Sequence, residues 1–471
     1  MRRRQFLRTG LLAGAAVPAA GLLGEVTSAE AALASRQLFP DPRRGLRGAS
    51  SLALDLLARS EGLPIAASPA PTPPRRLPLA DTFPDLPRHF VFEYYPWYGV
   101  APWRHWTQWD RLPPDDVASN HYPRLGPYDS LSTTVLEQHA RWIADSGVGA
   151  INLSWWGPGS YEDRATHRVM DVMGAHGLKV AFHLEPYADD RGHRFRDDCL
   201  YLVREYGERR RFDAFLLLAN ADGKSGPVFK GFRCLLPREV TDCHGLRQPV
   251  PDFTADSTWR EQIEGLRATL RTDFDHTTIL ADAPDFNRLP ASGFDGCGVY
   301  DNFVMPVHYR PMAEAASRAD LLFSFNVNPG FDSITPRRLE RGACYTPPPF
   351  EPPVSPPFDW AMESERERAA AVAEERIRES LRQTLAVQTD PALGNLRRGF
   401  FLVYITSFNE WHEGHGFEPM QDAPQLTPDQ RALGYHNPAS GDYRLSLLAQ
   451  LLRPVLEPPA IEPGPPPFPL V

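Results

Sequence analysis

The amino-acid sequence predicts an α/β protein built as a single domain, a (β/α)8 TIM barrel. Short apolar segments alternate with longer segments of helical periodicity, which is the pattern of repeated βα units. The apolar segment at residues 399–406 is rich in β-branched and aromatic residues, as in parallel strands buried on both faces. Polar and aromatic residues follow the carboxyl ends of five predicted strands, where TIM barrels carry their functional sites.

The predicted elements follow one another in a regular order along the chain. Strands are predicted at residues 90–95, 150–155, 179–184, 212–218, 228–235, 277–282, 298–304, 321–327 and 399–406. Helices are predicted at residues 133–146, 165–176, 197–206, 257–272, 312–319, 363–387 and 443–452. The turn residues at 220–223 join two of the strands as a β-hairpin, which leaves eight βα units. An open doubly wound sheet is the alternative, but no Gly-x-Gly-x-x-Gly loop follows the first strand.

Composition divides the 471 residues into four segments. Residues 1–31 resemble a twin-arginine-type export signal, because consecutive arginines precede an apolar stretch and small residues stand at a cleavage point. A linker rich in Pro, Ala and Arg is predicted at 32–84, the barrel at 85–456 and a Pro-rich tail at 457–471. We therefore expect an exported protein, extracellular or in the cell envelope or periplasm; an uncleaved N-terminal anchor is the alternative.

Charge and cysteine content restrict the possible partners. The formal net charge of −9 argues against a nucleic-acid or anionic-membrane partner. No segment after the signal is long and apolar enough to span a membrane, and we expect a monomer. The five cysteines form no Cys-x-x-Cys pair, which argues against a zinc ribbon or a thioredoxin-like motif. Buried thiols are expected, with a Cys234–Cys243 disulfide as the alternative.

The residues after the predicted strands suit carbohydrate chemistry. Tryptophan and tyrosine rings stack on the apolar faces of sugars, while histidine, asparagine and carboxylates bind the hydroxyl groups. Glu410 and Glu413 directly follow the last strand, and such a pair can act as acid and base on a glycosidic bond. The candidate substrate-binding residues are Tyr95, Trp97, Tyr98, Trp155, Trp156, His183, Glu185, Tyr187, Asn409, Trp411 and Glu418. Any one of these clusters could instead be core packing or a solvated turn, but five at one end of a barrel favour a site.

Two carboxyl groups in one apolar, aromatic pocket cannot both ionise easily, so one of the two glutamates is predicted to have a raised pKa. A zinc-protease motif is excluded because it needs a second histidine four residues after His412, where Gly416 stands. No metal is expected at this site.

Six motifs in this order resemble those of glycoside hydrolase family 99, the endo-α-mannosidase and endo-α-mannanase family. They lie within residues 88 to 420 and read Tyr94-Tyr95-x-Trp97-Tyr98-Gly99, Ser154-Trp155-Trp156, His183-x-Glu185-Pro186-Tyr187, Phe294-Asp295-Gly296, Pro329-Gly330-Phe331-Asp332 and Ser407-Phe408-Asn409-Glu410-Trp411-His412-Glu413-Gly414. The last motif is the most specific.

The resemblance implies a TIM barrel that hydrolyses α-mannosides with retained configuration and without a metal or organic cofactor. It implies that Glu410 acts as base on the sugar 2-hydroxyl, giving an epoxide intermediate, and that Glu413 is the general acid/base. The chain departs from the family after the second glutamate, where residues 415–418 read His-Gly-Phe-Glu instead of Thr-Gln-Ile-Glu. This departure puts the identity of the substrate in doubt.

The sequence therefore predicts an exported retaining glycoside hydrolase, endo-acting on α-mannosidic or related α-linked glycans. One alternative is a barrel that binds oligo- or polysaccharides without cleaving them, although such a barrel need not keep both glutamates. Another is a family-99-like protein that acts on a different cell-envelope polysaccharide. A transferase role in polysaccharide synthesis is disfavoured by the export signal and by the lack of a nucleotide-phosphate loop.

Overall fold

A computed structural model describes residues 79–457, apart from residues 84, 210–211 and 339–346. The predicted export signal, most of the predicted linker and the tail from residue 458 lie outside the described residues. The described end of the linker is folded: Leu79–Thr82 forms a helix, and the ring of Phe83 packs 5.7 Å from that of Phe401 between ring centres. The folded domain therefore begins before the predicted boundary at residue 85.

Eight parallel strands form a nearly closed barrel, as the sequence predicts. They are β1 (Phe90–Tyr94), β2 (Ala150–Trp155), β3 (Lys179–Leu184), β4 (Ser225–Gly231), β5 (Thr278–Ala281), β6 (Gly296–Gly298), β7 (Leu322–Ser324) and β8 (Val403–Ile405). The hydrogen-bonded order is β7-β6-β5-β4-β3-β2-β1-β8. Just beyond β7, Val327 closes the ring: its N–H donates to the Tyr404 carbonyl (2.9 Å) and its carbonyl accepts from the Thr406 N–H (2.9 Å).

Eight helices alternate with these strands. They are α1 (Thr133–Asp145), α2 (Tyr161–Ala175), α3 (Arg191–Leu202), α4 (Asp256–Leu270), α5 (Arg288–Ser292), α6 (Tyr309–Arg318), α7 (Glu363–Gln388) and α8 (Tyr443–Leu456). Shorter pieces are a π-helical turn at Val203–Glu208, 3-10 turns at Leu86–His89, Pro306–His308 and Ala423–Gln425, and helices at Gly394–Arg397 and Pro428–Ala432. Across the described ranges, none of the helices combines the length and the apolar character needed to cross a bilayer.

Helix α1 illustrates why these segments fold as they do. Leu136, Ala140 and Ile143 are buried and fall at helical spacing, so they form one face that packs on the barrel. The helix ends before Gly147, whose φ of +86° favours glycine. A Cβ at Gly147 would lie 2.8 Å from Leu456 of α8, so this turn also lets the first and last helices approach each other.

Several local predictions differ from the structure. The predicted hairpin exists, with Leu217–Ala219 antiparallel to β4, but its first strand is shorter than predicted. Helix α5 and the antiparallel pair Glu239–Thr241 and Arg247–Pro249 were missed, because such short elements carry little periodic pattern. The sixth strand lies at Gly296–Gly298 rather than at 298–304. A Cβ at Gly296 would collide with the Leu322 carbonyl, so only glycine allows β6 and β7 to approach this closely. Glycine has a low strand propensity, and the local sequence therefore does not indicate a strand here.

Cysteines 199, 234 and 297 are buried free thiols, as expected. The alternative Cys234–Cys243 disulfide is wrong because Cys234 is free, although Cys243 is disulfide-bonded.

An ion pair lies inside the barrel, below the carboxyl ends of the strands. The Lys230 ammonium is 2.6 Å from Glu93 Oε1, and neither side chain is exposed. Asn152 Nδ2 donates to Glu93 Oε2 (2.8 Å), and the ammonium lies 4.2 Å from the Tyr404 ring centre. Burial alone would raise the pKa of Glu93, but Lys230 and His183 lower that pKa to about 2. Glu93 is therefore ionised at neutral pH.

Breaking this pair should destabilise the fold. We expect Lys230→Met to lower the free energy of unfolding by about 3–5 kcal/mol, since it leaves the Glu93 carboxylate buried without its cation. Urea denaturation at pH 7 measures the loss. The double variant Glu93→Gln/Lys230→Met removes both charges and should recover part of it; equal losses in the two variants would contradict this account.

Candidate active site

The loop that follows β8 is held rigidly at the mouth of the barrel. The Glu418 N–H donates to the Phe408 carbonyl (2.7 Å), so the loop closes on itself. Asn409 ties it to the first strand end: its Nδ2 donates to the Tyr95 carbonyl (2.9 Å) and its Oδ1 accepts from the Tyr95 N–H (2.8 Å). Arg444 of α8 donates to the Gly414 carbonyl (2.8 Å) from the other side. These bonds fix the backbone that carries both glutamates.

The two glutamates have different surroundings. Glu410 is buried, and its Oε1 accepts a hydrogen bond from the His412 N–H (2.9 Å). The Glu413 side chain is 32 % exposed. Its Oε2 accepts from the Tyr300 hydroxyl (2.9 Å) and from His415 Nε2 (2.6 Å). Glu413 is therefore the carboxyl group that reaches the open side of the site.

These surroundings shift the pKa values of the two glutamates in opposite directions. Burial and repulsion from Glu413 hold the pKa of Glu410 well above its usual range. Burial opposes ionisation of Glu413 as well, but the hydrogen bonds from His415 and Tyr300 lower its pKa. The free protein therefore holds one proton on Glu410 and a charge on Glu413. This is the reverse of the base and acid roles that the family resemblance implies for the two groups.

A second set of polar groups comes from β2 and β3. Glu185 Oε1 accepts from the Ser154 hydroxyl (2.8 Å), and burial raises the pKa of Glu185. His183 Nδ1 lies 3.2 Å from Glu93 Oε2 and 3.8 Å from Glu185 Oε1, while its Nε2 has no hydrogen-bond partner in the described part of the chain. The charge of Glu185 acts on Glu410, so both sets belong to one site.

Aromatic rings form one wall of this site. The Trp97 ring centre lies 4.6 Å from that of Tyr95 and 6.2 Å from that of Trp156. The Trp156 Nε1 donates to the Ser154 hydroxyl (3.0 Å), which also binds Glu185. Burial raises the pKa of Tyr95 well above its usual range, and the nearby charges of Glu185 and Glu410 act in the same direction. Tyr95, Trp97 and Trp156 therefore stand beside the carboxyl groups, as do the predicted residues His183 and Glu185.

Trp155 and Tyr187 lie elsewhere, between the strands and the outer helices. Strand side chains alternate, so Asn152 and Ser154 face the interior and Trp155 faces outward. The Trp155 Nε1 donates to Asp163 Oδ1 of α2 (2.8 Å), and the Tyr187 hydroxyl donates to Asp198 Oδ2 of α3 (2.7 Å). Trp155 is fully buried in this layer.

Four further predicted residues, Tyr98, Asn409, Trp411 and Glu418, are buried within the packing of the loop. The Glu418 carboxylate accepts from the Tyr128 hydroxyl (2.7 Å) and from the Trp411 Nε1 (3.1 Å). The Tyr98 hydroxyl accepts from the Trp411 N–H (3.1 Å). Their hydrogen bonds hold the loop in place, and these residues do not surround the exposed carboxylate of Glu413.

Sequence reasoning missed Tyr300, Lys230 and His415 as parts of the site. Tyr300 was assigned to a strand, although it lies just beyond β6. Lys230 had a usable signal, because it is one of only three lysines in an arginine-rich chain. His415 was noticed only as a departure from the family pattern.

The two histidines of the loop have separate partners. His412 Nε2 lies 2.6 Å from the His105 carbonyl, whereas His415 contacts Glu413. Within the described ranges, no three His, Cys, Asp or Glu side chains are grouped to hold a metal ion.

Comparison with known proteins shows similarity to a family of glycosyl hydrolases. A sequence profile described as glycosyl hydrolase family 99 matches residues 88–216. A glycoprotein endo-alpha-1,2-mannosidase-like protein of Mus musculus is 26 % identical over 377 residues, which cover 73 % of this chain and 71 % of that protein. A glycoprotein endo-alpha-1,2-mannosidase of Xenopus laevis is 26 % identical over 363 residues, covering 69 % and 68 %.

A solved structure supports the fold. The GH99 endo-alpha-mannosidase from Bacteroides thetaiotaomicron aligns with a TM-score of 0.53 and 22 % identity, over 79 % of this chain and 99 % of that chain.

The unequal charges predict opposite pH dependences for two variants. A raised pKa means that Glu410 costs the wild type stability as the pH rises above 4.5, its ordinary pKa. We therefore expect the melting temperature of Glu410→Gln, relative to wild type, to rise between pH 4.5 and 8. Glu413 has a lowered pKa and contributes stability above its ordinary pKa of 4.5, which is lost on acidification. The melting temperature of Glu413→Gln, relative to wild type, should therefore fall as the pH rises. If thermal unfolding shows the same pH trend for both variants, the assignment is contradicted.

Proposed function

The chain is a glycoside hydrolase of family 99 or of a family-99-like group, and from this premise we propose that it is an exported endo-acting enzyme that hydrolyses α-mannosidic or related α-linked glycans with retention. The observation that carries the proposal is the position of Glu410 and Glu413 in one loop beside the aromatic wall of Tyr95, Trp97 and Trp156, where the pKa of Glu410 is raised and that of Glu413 is lowered. A retaining hydrolase needs one carboxyl group to give a proton and one to take a proton.

In the first step, Glu410 takes the proton of the sugar 2-hydroxyl as that oxygen attacks the anomeric carbon. The bond to the leaving oxygen breaks, and Glu413 gives that oxygen its proton. The product of this step is an epoxide across the first two carbons of the sugar. In the second step, Glu413 takes a proton from water and the water oxygen attacks the anomeric carbon. The bond between that carbon and the 2-oxygen breaks, and the 2-oxygen recovers its proton from Glu410. Two inversions at one carbon retain its configuration.

This sequence requires the shared proton to move from Glu410 to Glu413 when substrate binds. A sugar that covers the exposed part of Glu413 removes its water and raises its pKa. A sugar hydroxyl that donates to Glu410 lowers the pKa of that group. Both changes favour the charge distribution that the first step needs.

The remaining parts of the proposal have separate support. The names of the relatives, endo-alpha-1,2-mannosidases, support endo action on an α-mannoside. The predicted twin-arginine-type signal at residues 1–31 supports export. The departure from the family at residues 415–417 favours a second candidate, in which the same chemistry acts on a different cell-envelope polysaccharide.

Leaving-group chemistry tests the roles of the two glutamates. We expect Glu413→Gln to lower turnover of α-mannan by about 10²–10⁴-fold, because a sugar leaving group needs a proton. The same variant should keep most of its activity on an α-glycosyl fluoride, since fluoride leaves without general-acid help. Glu410→Gln should lose activity on both substrates.

Initial rates and product sizes provide the readout for these variants. Oligosaccharide products support endo action, whereas release of monosaccharide alone contradicts it. Full activity of Glu413→Gln on the glycan would refute the assignment. If Glu410→Gln, and not Glu413→Gln, keeps its activity on the α-glycosyl fluoride, then Glu410 is the general acid and Glu413 is the base.

Two neighbouring tryptophans provide a matched test of the aromatic wall. Trp156 is partly exposed beside Trp97, whereas Trp155 is buried and bonded to Asp163. Trp156→Ala should raise KM about tenfold, from the loss of one stacking contact of about 1 kcal/mol or more, with little change in melting temperature. Trp155→Phe should lower the melting temperature and leave KM unchanged. The opposite pattern would place the sugar on the other side of β2.

A further inference from the structure

A chain of hydrogen bonds joins the two glutamates through side chains of their own loop. The Glu410 N–H donates to Ser407 Oγ (2.8 Å), and Ser407 Oγ lies 3.0 Å from His415 Nδ1. His415 Nε2 lies 2.6 Å from Glu413 Oε2. The side chains of Ser407 and His415 are fully buried, so water does not compete for these bonds.

The partners of the two ring nitrogens indicate where a ring proton of His415 stands. A charged Glu413 can only accept hydrogen bonds, so the Nε2 atom that lies 2.6 Å from its Oε2 carries a proton. Ser407 Oγ accepts from the Glu410 N–H and can turn its own hydroxyl proton towards Nδ1. The Nε2–H tautomer therefore satisfies both contacts of the ring.

The other groups that face Glu413 do not replace this donor. Tyr300, just beyond β6, supplies the second hydrogen bond, and the charge of its neighbour Asp301 opposes that of Glu413. Glu410 repels Glu413, and His412 is bonded to the His105 carbonyl. Lys230 lies 5.6 Å from the Tyr300 ring centre and is paired with Glu93. In the described part of the chain, no lysine or arginine forms an ion pair with Glu413.

We propose that His415 is a positioning residue for the hydrolysis, which holds Glu413 charged and oriented towards the barrel mouth until substrate binding shifts the proton of the pair from Glu410 to Glu413. The inference rests on the proposed function, since it assigns His415 a part in that reaction. The residue stands where the family pattern carries threonine, whose short side chain cannot span from Ser407 to Glu413. This chain therefore controls its second glutamate by a route of its own.

The pH dependence of kcat/KM tests the proposal. With one proton shared, activity falls at low pH when Glu413 also becomes protonated, and at high pH when the last proton leaves. His415→Leu removes the donor and raises the pKa of Glu413, so the acid limb should move up by about one pH unit. The alkaline limb, which belongs mainly to Glu410, should move less. We also expect kcat to fall about tenfold, because Glu413 loses the contact that orients it towards the barrel mouth.

His415→Gln is the matched control, because its amide can donate to Glu413 at every pH. It should restore the acid limb to within a few tenths of a pH unit of wild type. An unmoved acid limb in His415→Leu, or equal shifts in both variants, would overturn the proposal. Melting temperatures of both variants identify any loss that comes from unfolding alone.

A second readout does not depend on turnover. In protein labelled with ¹⁵N-histidine, the signals lost in His415→Gln identify His415. We expect the Nε2–H tautomer at pH 7, with an Nε2 shift that changes in Glu413→Gln; the Nδ1–H tautomer would overturn the inference. If wild type cleaves no α-linked glycan yet shows the Nε2–H tautomer and this response, the proposed function fails while the contact to Glu413 stands.

Discussion

A carboxylate removed from water keeps its charge only where hydrogen-bond donors or cations reach it, and this constraint organises the mouth of the barrel. Glu93 is fully buried and stays ionised because Lys230 lies 2.6 Å away. Glu413 stays ionised through His415 and Tyr300. Glu410 has a donor in the His412 N–H, but burial and repulsion from Glu413 outweigh it and hold the pKa of Glu410 high. Carboxyl groups of one residue type therefore take different charge states within one site.

These charge states depend on a loop that cannot shift. Asn409 ties the loop to the end of β1, Arg444 of α8 holds the Gly414 carbonyl, and the Asp332 N–H donates to the Glu413 carbonyl (3.0 Å). Gly414 has a φ of +68°, and a Cβ there would collide with the Asp332 carbonyl. Three separate parts of the chain thus position one turn, and a preorganised site of this kind needs no rearrangement of its donors during the reaction.

Much of the fold could be predicted because it depends on local pattern. Strands buried on both faces read as continuous apolar runs, which located β2 and β3 to the residue. The glycine-rich β6 and the five-residue α5 were not predicted correctly, since neither contains enough residues to show a periodic pattern. The position of β6 follows from its pairing with β5 and β7, and not from local propensity.

The order of eight βα units, the polar strand ends and the position of Glu410 and Glu413 after the last strand follow from the sequence alone, because each depends on residues that are neighbours along the chain. Which side chains meet depends on contacts between distant parts of the chain. Alternation along β2 sends Ser154 inward and Trp155 outward. Closure of the barrel brings Tyr300 and His415, 115 residues apart along the chain, to the same carboxylate. The charges of the glutamates follow from those meetings, since a pKa responds to distance in space and to burial.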